Sequence, residues 1–141
     1  MFNDNAFMRA KFQPRLAEVP VPNLAAFFTD DTPQVWTVRN LTGDELAKSM
    51  ESSVRQKSID TIIKALSSQS AQVDEIRASL GIGDDVSVEL VKRLEQLVMA
   101  SVNPVVDKLL AVKLAENYPV EFYQLTNKIV ELTGLGADLK K

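Results

Sequence analysis

Paired acidic side chains are the residues of this chain that could do chemistry, because metal binding and acid–base reactions both use carboxylates. They occur four times, as Asp30-Asp31, Asp44-Glu45, Asp74-Glu75 and Asp84-Asp85. The first and last pairs lie in loop-like sequence, but neither has the alternating oxygen-ligand spacing of a calcium loop. Adjacent acids in a loop or a first helical turn usually face solvent. A small metal-dependent hydrolase is therefore the weakest of our three functional hypotheses.

Other catalytic patterns are also missing from the sequence. The chain has no histidine and no cysteine, which removes the commonest general base, the commonest metal ligand and the thiolate nucleophile. No lysine has a serine three residues before it, so the Ser-x-x-Lys pairing does not occur. The short runs "GIG" and "GLG" are not phosphate-binding loops. We predict a protein that is not an enzyme and has no cofactor and no metal.

Charge and hydropathy narrow the range of partners. The formal net charge is −3, whereas a nucleic-acid-binding domain usually carries a basic patch. No stretch of 18 apolar residues is long enough for a membrane-spanning helix, and the first 15 residues lack the continuous apolar run of a secretory signal. We predict one domain in the cytoplasm, with no nucleic acid and no membrane as partners.

The only tryptophan, Trp36, lies in an alternating segment that predicts a strand. In "QVWTVR" the side chains of Trp36 and Val38 share one side of the chain, and the β-branched content favours extended backbone. The segment "LAEVPV" could pair with it across the "TDDTP" turn. Trp36 could form an aromatic anchor for a partner together with Phe27 and Phe28. We favour a core position in which the indole N–H finds one acceptor.

A strongly marked helix start follows the strand. Thr42 is the predicted N-cap and Glu45 completes a capping box, while Leu41 and Leu46 can form a hydrophobic staple. Along the predicted helix, the apolar residues near Leu46 lie on one face, and those toward residue 66 lie nearly on the opposite face. Either the helix breaks near "RQKS", or one helix over 43–66 packs on different partners along its length. We favour the continuous helix.

The rest of the chain shows helical spacing with clear boundaries. Pro104 and Pro119 are each predicted at a helix start, and Gly134 is predicted as the stop of the last helix. We therefore predict a mainly α fold, a small multi-helix domain with a short N-terminal extended or β-ribbon segment. The predicted organisation is a flexible N-terminal arm over 1–16, a single mostly helical domain over 17–136 with strands over 17–40 and helices over 42–134, and a tail over 137–141.

Two segments together resemble the tail assembly chaperones of long-tailed bacteriophages. They are "VWTVRNLTGDELA", from residue 35, and "VKLAENYPVEFYQLTNKIVELTGLG", which ends at residue 136. In that family a strand-like W-x-V-R leads into L-T-G-x-E and a helical body, and a proline-started helix closes on L-T-G-L-G. The resemblance covers most of residues 17–136.

The resemblance implies a non-enzymatic chaperone that binds the tape measure protein and keeps it soluble during virion assembly. It also implies a place in the cytoplasm of the infected host cell, absence from the mature virion, and self-association or contact with the tail tube protein. Members often have a longer product made by ribosomal frameshifting, and a Lys-Lys end could be encoded by a slippery run. Candidate partner-binding surfaces are the Phe-bearing N-terminal arm and two apolar stripes, although burial in the chaperone's own core is the simpler role for each. The stripes comprise Leu46, Met50, Val54, Phe122 and Leu125.

A structural tail or neck protein that remains in the particle is the alternative hypothesis. Such a protein would form rings or tubes through the extended N-terminal segment. Particle composition separates it from a chaperone, because only the structural protein persists in the virion.

Overall fold

The three-stranded antiparallel sheet is the centre of the fold. A computed structural model describes residues 1–29, 33–51 and 88–140. Strand β2 (Leu16–Pro20) pairs with β3 (Val35–Arg39), as predicted, and β3 pairs on its other side with β4 (Ser101–Asn103). Burial alternates along β3, with Trp36 and Val38 inside. The predicted ribbon is thus part of a larger sheet.

Helices cover the inner face of this sheet. α2 (Gly43–Met50) follows β3, α3 (Val88–Ala100) precedes β4, and α4 (Lys108–Asn117) and α5 (Pro119–Leu135) complete the body. α5 packs on β2 and β3 as well as on α3 and α4. Apolar residues from all these elements form one core. The largest side chains with almost no exposure are Phe122, Leu97, Leu125 and Ile129.

The ends of the chain form a second, smaller sheet. α1 (Asp4–Arg9) leads into β1 (Phe12–Gln13), which pairs antiparallel with β5 (Asp138–Leu139). The segments predicted as an arm over 1–16 and a tail over 137–141 therefore meet. None of the helices in the described ranges combines the length and apolarity needed to cross a bilayer.

The predicted fold class, mainly α, is wrong. The described residues are 59% helical and 17% strand, in two small sheets of two and three strands, which is a mixed α/β fold. The missed strands β1, β4 and β5 are two or three residues long. Strands this short show no period-two pattern, so only pairing with a distant strand makes them extended structure.

Three predicted helix boundaries also need correction. Pro104 does not start a helix, because the chain is paired in β4 up to Asn103 and α4 begins after Asp107, whose side chain accepts a hydrogen bond from the Leu110 N–H at 2.8 Å. The prediction of a continuous helix over 43–66 is wrong, since α2 ends at Met50 and Glu51 is extended. Residues 52–66 lie outside the described ranges.

The last helix ends later than predicted. Gly134 is helical, and α5 runs to Leu135. Gly136 is the C-cap residue, with a positive φ of 78° that residues other than glycine rarely adopt. The start of this helix at Pro119 is confirmed.

Candidate interaction surfaces

An open groove beside the sheet is the first candidate site. The 3₁₀ helix Pro22–Phe27, β3, the end of β4 and α4 border an open space of about 1300 Å³. Its apolar lining includes Phe27, Val35 and Leu110. Small-molecule pockets typically measure about 300–1000 Å³. The groove is therefore large enough for a segment of polypeptide.

Hydrogen bonds at its N-terminal end hold the 3₁₀ helix against the body of the domain. The Val21 N–H donates to the Gln34 carbonyl oxygen at 2.9 Å, next to β3. The Asn23 side-chain amide donates to a buried Glu121 carboxylate at 2.7 Å, in the first turn of α5. At the other end of the 3₁₀ helix, the Phe27 ring packs edge-on against the Tyr118 ring, with centroids 6.4 Å apart, and the Phe27 side chain is still 70% exposed at the groove edge.

Polar side chains cross one side of the groove in a row. Glu18, Thr37 and Asn103 occupy paired positions on β2, β3 and β4 and all line the groove. Residues paired across adjacent antiparallel strands point to the same face of a sheet. Lys113 and Asn117 line it from α4. A lining that combines apolar and polar side chains suits an amphipathic helix, which lays its apolar face into an apolar groove.

Trp36 is buried and 5% exposed, which confirms the predicted core position. Its indole N–H donates to the Ser101 hydroxyl oxygen at 3.1 Å, so the predicted single acceptor is present. The alternative prediction is an aromatic anchor with Phe27 and Phe28, and all three residues border the same groove. Trp36 is thus a core residue, whereas Phe27 offers an exposed ring.

The predicted capping box is confirmed and also includes an arginine. The Thr42 hydroxyl accepts from the Glu45 N–H, and the Glu45 carboxylate accepts from the Thr42 N–H. Arg39 on β3 donates to both carboxylate oxygens of Glu45, at 2.8 and 2.6 Å, and to the Met99 carbonyl oxygen at 2.6 Å. These charged hydrogen bonds lower the pKa of Glu45 to about 2.

This arrangement is a structural clamp between the sheet, α2 and the end of α3. Glu45 is fully engaged by Arg39, and its neighbour Asp44 pairs with Lys48 at 2.9 Å. Within the described ranges, no three acidic, histidine or cysteine side chains come together to hold a metal ion. The other three acidic pairs include residues outside those ranges.

The five residues predicted to bind a partner fall in different environments. Phe122 and Leu125 are completely buried in the core and expose no side-chain surface. Leu46 is half-buried against the core, whereas Met50 is exposed at the end of α2. Val54 lies outside the described residues. These side chains therefore do not form one surface.

The second candidate surface, which we call the aromatic patch, lies where the chain ends meet. It comprises Phe2, Phe7, Met8, Phe12 and Leu139. The phenylalanine rings form a chain, with centroids 5.5 Å apart at both steps. Phe12 is the register partner of Leu139 across the small sheet. α1 has no buried residue, so this apolar surface is turned away from the core.

Sequence reasoning missed the residues that join the elements. Arg93 on α3 donates to the Thr126 hydroxyl at 2.7 Å and to the Asn127 side-chain oxygen at 2.8 Å, and it lies 4.6 Å from the centre of the Tyr123 ring. An arginine within a helix has no local signal for such partners. The sequence predicts the Phe-bearing N-terminal arm as a candidate surface, but the contacts among its rings and the pairing with Leu139 have no signal in the sequence.

The chain matches no protein-family model, no curated protein and no solved structure. Its function is therefore inferred from the residues and from these two surfaces.

Proposed function

We propose that this protein is a non-enzymatic tail assembly chaperone of a long-tailed bacteriophage, acting in the host cytoplasm. It binds the tape measure protein and keeps it soluble until the tail tube forms around it. The sequence resemblance supplies the family. The observation that carries the proposal is the open groove, whose apolar and polar lining suits a helical client.

The groove supports helix binding through its chemistry. A tape measure protein is a long, largely helical chain with apolar faces that aggregate when uncovered. Phe27 and Leu110 are 70% and 40% exposed and can cover such a face. Glu18 and Lys113 carry opposite charges on different elements of the lining, so they can pair with charges that flank the apolar face of a client helix.

The proposal needs no catalytic group. Binding of the chaperone to a soluble client state opposes aggregation by mass action alone. Affinity then depends on how much apolar surface the groove covers, and a few exposed anchors such as Phe27 dominate it.

Co-expression with the tape measure protein of the same phage tests this proposal. We expect the tape measure protein to become soluble and to co-elute with several copies of this chain in size-exclusion chromatography with light scattering. Phe27→Asp and Leu110→Asp should each reduce the soluble fraction severalfold, because a charge at an apolar anchor opposes docking. Val130→Asp is the matched control, since Val130 is 49% exposed on α5 and does not line the groove.

Two results would contradict the proposal. One is a tape measure protein that stays insoluble with the unmodified chain. The other is recovery of this chain from purified tails by mass spectrometry, which would favour the structural virion protein instead.

A further inference from the structure

The aromatic patch exposes a large apolar surface. Phe2, Phe7 and Phe12 are 72%, 51% and 45% exposed, Met8 is 80% exposed and Leu139 is 59% exposed. At about 200 Å² for a large side chain, the patch presents roughly 600 Å² of apolar area. The largest patch on a typical monomer is about 300–600 Å² and is often functional.

Among the described residues, hydrogen bonds join the segment that carries the patch to the body at its base. The Arg15 N–H donates to the Asn40 side-chain oxygen at 2.8 Å, and the Arg15 guanidinium donates to the Gly136 carbonyl oxygen at 3.0 Å. Beyond this point, the two-residue strands β1 and β5 pair with each other, and the Lys140 N–H donates to the Lys11 carbonyl oxygen at 2.8 Å. A two-stranded ribbon needs another surface to be stable in water.

We infer that the aromatic patch is the interface of a homodimer, in which a second copy of this chain covers the patch with its own patch. The area supports this partner. A standard interface buries about 800 Å² on each protein, of which roughly 60% is apolar. The patch supplies that apolar share, about 500 Å², from each copy, so two copies complete an interface without any other protein.

The charges at the ends of the patch fit a two-fold axis. Asp4 begins α1, whereas Arg9 ends it and Lys11 follows. A two-fold axis that packs one α1 antiparallel on another places the acidic end of each copy at the basic end of its partner. A parallel arrangement would place like charges together, which opposes association.

The inference concerns a different surface from the groove and does not depend on a client. The patch residues do not line the groove. A dimer built through the patch therefore keeps two open grooves, and it would form in a solution of the purified chain alone.

Sedimentation equilibrium of the full chain at several concentrations tests the interface. We expect a monomer–dimer equilibrium, and Phe7→Asp should raise the dimer Kd about 100-fold, as expected when a central aromatic contact is lost. Phe27→Asp is the matched control, because it adds the same charge at an exposed phenylalanine outside the patch and should leave the Kd within about twofold. Circular dichroism checks folding, and α1 has no buried residue that the Phe7 substitution could disturb.

A charge exchange tests the two-fold arrangement. Asp4→Lys alone, and Arg9→Glu combined with Lys11→Glu, should each weaken self-association about fivefold to tenfold, because every end then meets a like charge. An equimolar mixture of the two variants should form heterodimers with nearly the unmodified affinity, measured by native mass spectrometry.

Three outcomes would overturn the inference. They are a chain that stays monomeric up to high micromolar concentration, a dimer whose Kd does not change in Phe7→Asp, and a mixture of charge variants that associates no better than either variant alone. The first two reject the interface, and the third rejects the antiparallel arrangement.

Discussion

Replacing Glu45 by glutamine should remove the ion pair with Arg39 that joins the sheet to α2. The amide side chain of the Glu45→Gln variant would keep an oxygen that accepts from the Thr42 N–H, so the capping box can persist. It would lose the charge that neutralises Arg39, which would then remain about three-quarters buried beside neutral carbonyl groups. The change therefore isolates the ion pair from the helix cap.

The magnitude follows from the pKa. Hydrogen bonds and charge from Arg39, with a smaller contribution from Thr42, lower the pKa of Glu45 from 4.5 to about 2, and one pKa unit corresponds to about 1.36 kcal/mol. This gives about 3 kcal/mol. Because both side chains are a little over 20% exposed, solvent screening reduces the effect, and we expect about 2 kcal/mol at pH 7.

The dependence on pH has a definite sign. A carboxyl whose pKa is lower in the folded state stabilises the fold fully above its unfolded pKa, and this stabilisation is lost as the pH falls through the folded value. The stability difference between the unmodified protein and Glu45→Gln should therefore be largest above about pH 5. It should shrink steadily between pH 4.5 and about pH 2.

Urea unfolding followed by tryptophan fluorescence measures this difference, because Trp36 is the only tryptophan and is buried. The control is Asp44→Asn, which removes a charge from the same helical turn but breaks only the exposed pair with Lys48. We expect a much smaller loss for this control. An equal loss in both variants, or a Glu45→Gln difference that is the same at neutral pH and near pH 2, would refute the assigned role of the ion pair.

Three further predictions concern stability and are measured by the same urea unfolding. Ser101→Ala should cost about 1–3 kcal/mol, because the buried indole N–H of Trp36 loses its acceptor; a loss below about 0.5 kcal/mol, within the range of an ordinary surface substitution, would contradict this. Gly136→Ala should cost about 1–3 kcal/mol at its positive φ, whereas Gly134→Ala, inside α5, should stabilise by about 0.5–1 kcal/mol; neither site has a neighbour that a methyl group would strike, so effects of the same sign would contradict the conformational explanation. Arg93→Lys should cost about 1 kcal/mol, since lysine cannot reproduce the planar donor pair or the stacking on a tyrosine ring, and an unchanged stability would show that charge alone suffices.

The proposed groove and dimer interface have a joint consequence for a long client. Because they are separate surfaces, a dimer offers two grooves to one chain, and the second binding event becomes intramolecular. A monomeric Phe7→Asp variant should therefore still bind a tape measure segment, but its loss of affinity relative to the unmodified dimer should be larger for long segments than for short ones. Pull-down with segments of increasing length measures this difference.

Local patterns predicted the elements whose signals are contained in neighbouring residues. The alternation around Trp36 predicted β3 and its pairing with β2, and the spacing of Thr42 and Glu45 predicted the capping box. The buried face of α5, with Phe122 and Leu125, repeats at helical spacing. In each case the residues that decide the structure lie within a few positions of one another or, for the strand pair, on the two sides of one turn region.

Elements that depend on distant partners escaped prediction. β4 is extended because Ser101 and Asn103 pair with β3, which lies far earlier in the chain, and this pairing changed the fold class. β1 and β5 come from opposite ends of the chain and exist only as a pair. The end of α2 at Met50 has no glycine or proline to mark it.

The sequence by itself excluded chemistry that needs a histidine or cysteine side chain. It also determined the first strand pair, the capped start of α2 and the apolar face of α5. It did so because composition and short-range periodicity report directly on residue chemistry and local backbone preference. Only the tertiary structure decided which apolar residues are exposed at the surface. Phe122 and Phe7 are the same residue type, yet one is fully buried and the other is half-exposed. That difference depends on which elements pack together, a property of the whole fold.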